Sequence, residues 1–253
     1  MKIEVLGCSG GIGQGLKTTT FLIDDSLLLD AGTGVELLTM ERMLNIRDII
    51  ITHAHLDHII GLPLMLATIF DLHQRPINIY ALPEVISALK QHIFNWTIWP
   101  DYTVLPEERP IINMHSVNIG ETLLIQKKKI EVIPAQHPTP TAGYLVSDGQ
   151  HSFAFTGDSG INDALWSILN SRKPDLLIID VSFTDESEEL ARLSGHLTPS
   201  LLAQQIQQLR IDPRIAITHL KPGIEDIIMQ QCHQLLPQHQ IDRLNHGEVI
   251  NLI

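Results

Sequence analysis

Residues 51–63 of the chain read ITHAHLDHIIGLP. The apolar run 48–51 that leads into this stretch predicts a buried strand, and the apolar segment 59–73 that follows it predicts a helix. The histidines of the stretch are therefore expected in a loop where a strand ends and a helix begins. Loops at such positions commonly carry binding and catalytic side chains.

Four side chains of this loop suit a metal site. In an extended segment His53 and His55 point to the same side, and the turn that follows directs Asp57 and His58 towards the same point. A solvated polar turn and core histidines with hydrogen-bond partners are the alternatives, but neither explains this density of ligand-type residues. Imidazole and carboxylate ligands without thiolate suit zinc, with manganese or iron as alternatives, whereas magnesium and calcium prefer oxygen ligands. The loop is therefore predicted to share two divalent cations.

The overall composition predicts one soluble domain over residues 1–253. A hydrophobic share of 44% and a mean hydropathy of +0.11 are typical of a globular protein that buries a full core. We expect a cytoplasmic protein with no membrane partner, because no apolar run is long enough to span a bilayer and no secretion signal is visible. Cys8 and Cys232 are too few for a disulfide framework and are expected to be free thiols.

The net charge of −12 disfavours a nucleic-acid partner, because proteins that bind the phosphate backbone usually carry a basic patch. The compact basic run at residues 127–129 lies between two short apolar segments. It is predicted to be a solvated hairpin turn and not a grip on RNA. We therefore expect no nucleic-acid partner.

The first predicted strand, residues 2–6, runs into a glycine-rich loop, GCSGGIGQG, at residues 7–15. A dinucleotide-binding loop would open a helix, whereas the β-branched residues that follow here predict a strand. The loop is instead predicted to let backbone approach a pocket closely, with Ser9 and Gly10 as substrate contacts.

Asp30 ends the second strand of a predicted hairpin formed by residues 19–23 and 26–30. An aspartate at a strand end, followed by small residues, is either a helix cap or a carboxylate that orients a metal-bound histidine. The residues themselves leave both alternatives open. A helix is predicted next, over residues 35–44.

The middle of the chain changes from mixed structure to strands. Residues 77–81 predict a strand and residues 83–94 a helix with proline at its start. The aromatic segment 95–103 then either packs as a small core or lines a site for a flat ligand. A second sheet region is predicted next, with strands at residues 111–117, 121–126, 129–135, 142–147 and 151–155.

Further ligand-type residues follow apolar strands in the second half of the chain. His137 lies in a proline-rich loop, Asp158 in a glycine-flanked turn, and His219 at the end of the last predicted strand. Each signal alone is weak. Together they supply the ligands that a two-metal site still lacks.

His196 lies between a predicted charged loop at residues 184–194 and a predicted helix with Thr198 as its cap and Pro199 as its first residue. It is either a residue of the capping region or a proton donor. The second alternative is open because a helix N-terminus beside a metal pocket suits a phosphate. Thr198 is accordingly a predicted substrate contact.

The recurring order of apolar strand, ligand-type residue and glycine or proline, together with Asp30, resembles the metallo-β-lactamase superfamily. The resemblance implies an α/β fold, the four-layer αββα sandwich, whose strand ends gather the ligands along one edge. Within that superfamily the chain resembles class II cyclic nucleotide phosphodiesterases more closely. The motifs concerned are GCSGGIG at residue 7, LDAGTG at 29, THAHLDH at 52, IWPDYT at 98, DVSF at 180, GHLTP at 195 and THLKP at 218.

The resemblance also implies a ligand set and a reaction. The implied ligands are His53, His55 and His137 for one zinc ion, Asp57, His58 and His219 for the other, and Asp158 as the bridge. Asp30 would support a ligating histidine, and Asp57 would take part in catalysis. A hydroxide between the ions would hydrolyse 3′,5′-cyclic nucleotides to nucleoside 5′-monophosphates, and His196, oriented by Asp180, would protonate the leaving 3′-oxygen.

Other functions share parts of this pattern. THAHLDH alone also occurs in lactonases, glyoxalases and RNase Z, whereas GHLTP and THLKP together are more selective. An RNase Z-type tRNA 3′-processing endonuclease, a lactonase or thioesterase, and a non-catalytic metal-binding module are therefore the alternatives to a small-molecule phosphodiesterase. Relatives of this kind suggest a homodimer.

Overall fold

Two β-sheets of seven strands each form the centre of the computed structural model, which describes all of residues 1–253. In chain order the strands are β1 (Lys2–Gly7), β2 (Thr20–Ile23), β3 (Leu27–Leu29), β4 (Asp48–Ile50), β5 (Ile77–Ala81), β6 (Ile112–Ser116), β7 (Thr122–Ile125), β8 (Lys128–Pro134), β9 (Ala142–Ser147), β10 (Ser152–Phe155), β11 (Leu176–Asp180), β12 (Arg214–Thr218), β13 (Ile241–Arg243) and β14 (Val249–Asn251). The first sheet has the order β14-β1-β2-β3-β4-β5-β6, and the second β13-β12-β11-β10-β9-β8-β7.

Helices cover both sheets. They are α1 (Met40–Asn45), α2 (Leu56–Ile59), α3 (Gly61–Thr68), α4 (Pro83–Ala88), α5 (Asp163–Arg172), α6 (Glu188–Ser194), α7 (Pro199–Ile206) and α8 (Glu225–Leu235). None of them combines the length and the apolar character that crossing a membrane requires.

Alternation along β10 explains how the second sheet is covered on both faces. Phe153 and Phe155 point into the core between the two sheets, whereas Ala154 belongs to a separate core with α5, α7 and α8. This follows from the two-residue period of a strand, which directs successive side chains to opposite faces. Each fully buried aromatic side chain contributes roughly 1.5–3 kcal/mol of burial free energy.

The first sheet shares its large core with α1, α3 and α4, through buried side chains such as Met43, Leu62 and Val85. Helix layers thus lie on the outer face of each sheet, and the expected αββα sandwich is confirmed.

The strand directions determine where the loops converge. In the first sheet β3, β4, β5 and β6 are parallel, and in the second β10, β11, β12 and β13 are parallel. β8 runs in the same direction as β10, because both pair antiparallel with β9. The carboxyl ends of these strands lead into the segments with Asp30, His53, His137, Asp158, Asp180 and His219.

Several predicted boundaries were wrong. The helix predicted over residues 35–44 is divided into a 3₁₀ turn, Thr33–Leu37, and α1, because the side chain of Thr39 accepts a hydrogen bond from Arg42 N and caps α1. The apolar helix predicted over residues 59–73 is α2 followed by α3, and it ends at Thr68.

The predicted charged loop at residues 184–194 is largely helical. A 3₁₀ turn, Asp185–Ser187, leads into α6, and Gly195 ends α6 with a φ of 71°. Only Ala191 of this short helix is buried, so the hydrophobic periodicity from which a helix is predicted is absent.

The predicted second sheet region contains one strand too many. β6 pairs with β5 and therefore belongs to the first sheet, and the chain changes sheet between β6 and β7. The predicted hairpin turn is present, with φ of 49° at Gln126 and 66° at Lys127. Lys128, however, begins β8, is only 7% exposed and pairs with Asp24 at 2.6 Å.

Aromatic side chains of the segment 95–103 pack into the protein. Tyr102 is buried and stacks on Phe70 with 5.2 Å between ring centroids, and Trp99 packs against the large core. Trp96 is 64% exposed. For Tyr102 and Trp99 the structure thus supports the packing alternative.

Candidate metal centre

The loop after β4 supplies four of the ligand-type side chains. His53 follows Thr52 and is fully buried, His55 occupies the N-cap position of α2, and Asp57 and His58 lie within this short helix. His53 and His55 come from extended backbone, and Asp57 and His58 come from the helix that follows. The turn between them directs all four side chains to one point, as the sequence predicts.

The second sheet completes a first group of ligand-type atoms. His53, His55, His137 and Asp158 each offer one such atom, and these atoms lie within 4.8 Å of one another. His137 Nε2 is 3.2 Å from His55 Nδ1, and His53 Nε2 is 3.6 Å from Asp158 Oδ2. The Nδ1–H of His137 donates to the carbonyl of Gly195 at 3.1 Å, which leaves its Nε2 free towards the group.

A second group shares Asp158 with the first. Its members are Asp57, His58, Asp158 and His219. His219 Nε2 lies 3.1 Å from Asp57 Oδ2 and 3.3 Å from Asp158 Oδ2, and His58 Nε2 lies 3.3 Å from Asp158 Oδ1. Asp158 thus places one carboxylate between two sets of imidazoles.

Two buried nitrogen atoms test whether metal ions fit this place. The Nε2 atoms of His53 and His58 are buried and have no hydrogen-bond partner. Buried polar groups are normally satisfied, and an unsatisfied one lowers stability. Both atoms point towards Asp158. An ion in each group would satisfy them, so the residues present fit a pair of divalent ions with nitrogen and oxygen ligands.

Charge and burial act in opposite directions on these groups. Burial alone raises the pKa of Asp158, but the charges of His219 and His58 outweigh it and hold that pKa well below its usual range. Burial lowers the pKa of His53 well below its usual value. Burial acts in the same direction on His58, but the carboxylates of Asp158 and Asp30 outweigh it and raise the pKa of His58 well above its usual value. Asp158 is therefore ionised at neutral pH, the state in which a carboxylate binds a cation.

Asp30 lies directly behind His58. The Nδ1–H of His58 donates to Asp30 Oδ2 at 2.7 Å, and the backbone N–H and the hydroxyl of Thr52 donate to the two carboxylate oxygens at 2.8 Å each. The 3₁₀ turn that follows has Gly32 at its N-cap, so Asp30 is not its cap. Of the two alternatives for Asp30, the structure shows the contact with a histidine.

Asp180 and His196 form a corresponding pair at the end of β11. The Nδ1–H of His196 donates to Asp180 Oδ2 at 2.6 Å, and Asp180 is fully buried. Burial alone would lower the pKa of His196, but the adjacent Asp180 carboxylate raises it above its usual value. The His196 ring lies 5.1 Å from that of His137 and 5.2 Å from that of His219.

The predicted substrate contacts occupy different surroundings. Ser9 and Gly10 lie against the segment that carries His219, and a Cβ at position 10 would come within 2.4 Å of the His219 carbonyl oxygen. Only glycine fits there. Thr198 is fully buried, and its hydroxyl accepts a hydrogen bond from Leu201 N as the cap of α7. Contact of these three residues with a substrate stays a prediction.

An open cleft of about 290 Å³ adjoins the two groups. His137 and His196 form part of its lining, together with polar Gln136 and Arg192 and apolar Ile161. Two features here were missed from the sequence. Arg192 lies on α6, in a segment predicted as a loop, and the Gly195 carbonyl that orients His137 is a backbone atom, for which the residue type gives no signal.

Comparison with known proteins shows similarity to one family and to relatives of more than one activity. The family described as a β-lactamase superfamily domain matches residues 26–220. A 3′,5′-cyclic-nucleotide phosphodiesterase of Aliivibrio fischeri is 27% identical over 87% of this chain and 81% of that protein. A ribonuclease Z of Metallosphaera sedula is 24% identical over 94% of each chain.

A solved structure agrees with the fold. The unliganded yeast PDE1 superposes with a TM-score of 0.85 at 19% identity and covers 99% of both chains. At this identity the likeness concerns the fold alone.

Proposed function

The chain belongs to the β-lactamase superfamily, and on this premise we propose that it is a metal-dependent phosphodiesterase that hydrolyses 3′,5′-cyclic nucleotides to nucleoside 5′-monophosphates. One observation carries the proposal: His196, held by Asp180 at 2.6 Å, lies beside the two ligand groups. The 3′-oxygen of a cyclic nucleotide is a poor leaving group unless it is protonated as the bond breaks, and His196 is a donor for that proton. Similarity to a 3′,5′-cyclic-nucleotide phosphodiesterase supports the same substrate class.

The ligand groups are assigned as the resemblance implies. The residues that would hold one ion are His53, His55 and His137, those that would hold the other are Asp57, His58 and His219, and Asp158 would contact both. Two ions held by these residues would lower the pKa of a water molecule and neutralise charge on a phosphodiester. Zinc suits these ligands best, with manganese or iron as alternatives. The positive charge of such ions would also explain how a chain of net charge −12 receives an anion.

Asp57 and Asp158 differ in burial and in the role proposed for each. The Asp158 side chain is 3% exposed and lies between the groups, whereas the Asp57 side chain is 31% exposed. Although burial raises the pKa of Asp57, the combined effect of the adjacent His219 and His58 outweighs burial and holds that pKa below its usual value, so the carboxylate is ionised at neutral pH. Asp57 can therefore accept a hydrogen bond from the attacking water as well as contact an ion.

His196 acts as the general acid. Its Nδ1–H is committed to Asp180, so its Nε2 is the atom left to donate to the substrate. Because the Asp180 carboxylate raises the pKa of His196 against the effect of burial, the protonated imidazole, which can donate from Nε2, is favoured. General acids of this kind contribute about 10²–10⁴ in rate.

The cleft beside His137 and His196 is the proposed binding place for the nucleoside part of the substrate. Its volume of about 290 Å³ lies at the lower end of small-ligand sites. Ile161 offers an apolar surface to a base, and Gln136 and Arg192 offer hydrogen-bond donors.

A homodimer is part of the proposal. An apolar cleft of about 350 Å³ lies between the 3₁₀ turn Thr33–Leu37 and α3, and its lining residues Ile60 and Leu64 are 37% and 56% exposed. Apolar surface of this kind is suited to contact with a second subunit. Light scattering after size exclusion should give about twice the chain mass.

The deciding experiment compares substrates on one zinc-loaded preparation. We expect cyclic AMP or cyclic GMP to give the nucleoside 5′-monophosphate and not the 3′-isomer, because the 3′-oxygen is the protonated leaving group. Unprocessed tRNA and a panel of lactones are the parallel arms. Cleavage of tRNA or of a lactone, with cyclic nucleotides left intact, would replace this proposal with one of the alternatives.

A further inference from the structure

Ser182 has the most polar surroundings of any hydroxyl at the metal centre. It lies two residues after Asp180 and is fully buried. Its Oγ lies 2.6 Å from Asp180 Oδ1, 2.8 Å from His219 Nδ1, 3.0 Å from the His219 carbonyl oxygen and 3.2 Å from His196 Nδ1.

The chemistry of a hydroxyl decides between these contacts. Ser182 has one proton to donate and two lone pairs that accept. Its shortest contact is with the Asp180 carboxylate, which can only accept when ionised, so the Ser182 proton goes to Asp180 Oδ1. The lone pairs of Ser182 then accept the Nδ1–H of His219 at 2.8 Å.

That bond determines the state of His219. With the proton held on Nδ1, the lone pair of a neutral imidazole lies on Nε2. Nε2 is the atom that points at Asp57 Oδ2 and Asp158 Oδ2, at 3.1 and 3.3 Å. A metal-bound histidine almost always donates its other N–H to such a partner, which fixes the ring and raises its basicity.

We propose that Ser182 is a positioning residue of the metal centre, which orients His219 for one ion and holds Asp180 for His196. The proposal rests on the proposed pair of metal sites but not on the identity of the substrate. Ser182 occupies Asp180 Oδ1, and Asp180 Oδ2 is thereby left to accept from His196 at 2.6 Å. One hydroxyl thus joins a metal ligand to the proton donor.

A second hydroxyl in the same molecule has the same pattern of contacts. Thr52 Oγ1 donates to the Asp30 carboxylate at 2.8 Å and lies 3.0 Å from His53 Nδ1, whose proton it can accept. His53 belongs to the first ligand group and His219 to the second. Loss of the Ser182 hydroxyl should therefore weaken the ion of the second group only. Loss of the Thr52 hydroxyl should weaken the ion of the first group through His53 and, because Asp30 also holds His58, to a lesser degree that of the second.

The test measures zinc affinity and needs no substrate. Apo-protein is titrated with zinc against a chromophoric chelator, and two dissociation constants are resolved. In Ser182→Ala we expect the constant of one ion to rise by about 10–100-fold, the usual effect of removing a partner of a metal ligand, while the other constant stays within about twofold. Thr52→Val should raise the constant of the ion that Ser182→Ala leaves unchanged.

Ser200→Ala is the matched control. Ser200 Oγ donates to Asp185 Oδ2 at 2.7 Å, a hydrogen bond of the same kind, but Asp185 has no hydrogen bond to a histidine. Ser200→Ala should therefore bind both ions as the wild type does. An equal loss in Ser200→Ala would assign the effect to general destabilisation and overturn the proposal.

A spectroscopic reading checks the bond itself. The Nδ1–H of His219 should give a protected imidazole N–H resonance in the zinc-loaded protein, and Ser182→Ala should lose that protection. If Ser182→Ala does not fold, Ser182→Thr and Ser182→Val replace it, because they match each other in size and differ only in the hydroxyl. Equal zinc affinities for that pair would contradict the proposal, whereas a wild-type protein that binds no zinc would contradict the proposed metal sites instead.

Discussion

The two halves of the centre contain the same chain of hydrogen bonds and use it differently. On the first sheet the chain runs from His53 through Thr52 to Asp30, which also accepts from His58. Both of its histidines belong to ligand groups.

On the second sheet the corresponding chain runs from His219 through Ser182 to Asp180, which also accepts from His196. Of these two histidines, only His219 is a member of one of the two groups that share Asp158. The other histidine, His196, lines the cleft.

The difference teaches how one local design serves two tasks. A buried aspartate with a hydroxyl beside it fixes two imidazole rings, whatever their Nε2 atoms face. On the first sheet both Nε2 atoms are buried and face Asp158. On the second sheet the His196 end opens to the cleft, so the same support can position a proton donor.

The largest effect is expected from removal of Asp158, the residue that both halves share. Asp158→Ala should lose both ions and reduce turnover to background, because the carboxylate lies between the two groups and Nε2 of His58 would face an empty space. Metal analysis of the dialysed variant measures this. Retention of both ions in Asp158→Ala would break the picture of two halves joined through one carboxylate.

His196→Ala should separate chemistry from metal binding. We expect two bound ions, as in the wild type, and a fall in kcat of about 10²–10⁴, the contribution of a general acid. Steady-state kinetics with added zinc checks this, since extra zinc should not restore the rate. An unchanged kcat would remove His196 from the mechanism and leave the second hydrogen-bond chain as structural support only.

Asp30→Asn should weaken metal binding and leave the chemical step largely intact, the opposite of His196→Ala. The amide keeps the shape but weakens the hydrogen bond from His58 Nδ1, so zinc affinity should fall by about 10–100-fold. Excess zinc should restore most of the rate of Asp30→Asn, whereas Asp180→Asn should stay slow in excess zinc. Rescue of both variants, or of neither, would mean that the two chains do not differ in task.

The smallest expected effect concerns the cleft that only the second half forms. Arg192→Ala should raise KM for the cyclic nucleotide by a few-fold, because an exposed charge contact contributes about 0.2–1 kcal/mol. Arg172→Ala is the control. The side chains of Arg172 and Arg192 are each 47% exposed and each paired with a glutamate, but Arg172 is not among the residues that line the cleft. Equal KM changes would argue against substrate binding in this cleft.

The sequence predicts well which ligand-type residues lie close together, for a physical reason. His53, Asp158 and His219 each follow a short apolar strand, and a buried strand that ends on a polar residue gives a local signal that needs no partner. The same strands predict only a mixed α/β fold, whereas the αββα sandwich was expected from the resemblance to the superfamily.

The supporting residues are harder to predict. Ser182 is one serine in DVSF, and its significance depends on His219, which lies 37 positions away along the chain. The division between the sheets was also missed, because the pattern of β6 resembles that of β7 and only the pairing of β6 with β5 distinguishes them. Residues 188–194 form α6 without a hydrophobic face, so Arg192 could not be placed beside the cleft.

The contact between Asp57 and His219 spans 162 positions of the chain. During biosynthesis the early histidines leave the ribosome long before β12 has been translated, and until then the second proposed metal site lacks His219. On the proposed assignment, a nascent chain of this length would not retain both ions. Metal acquisition is therefore expected to be a late step of maturation, and a full complement of ions would mark a chain whose synthesis has passed His219.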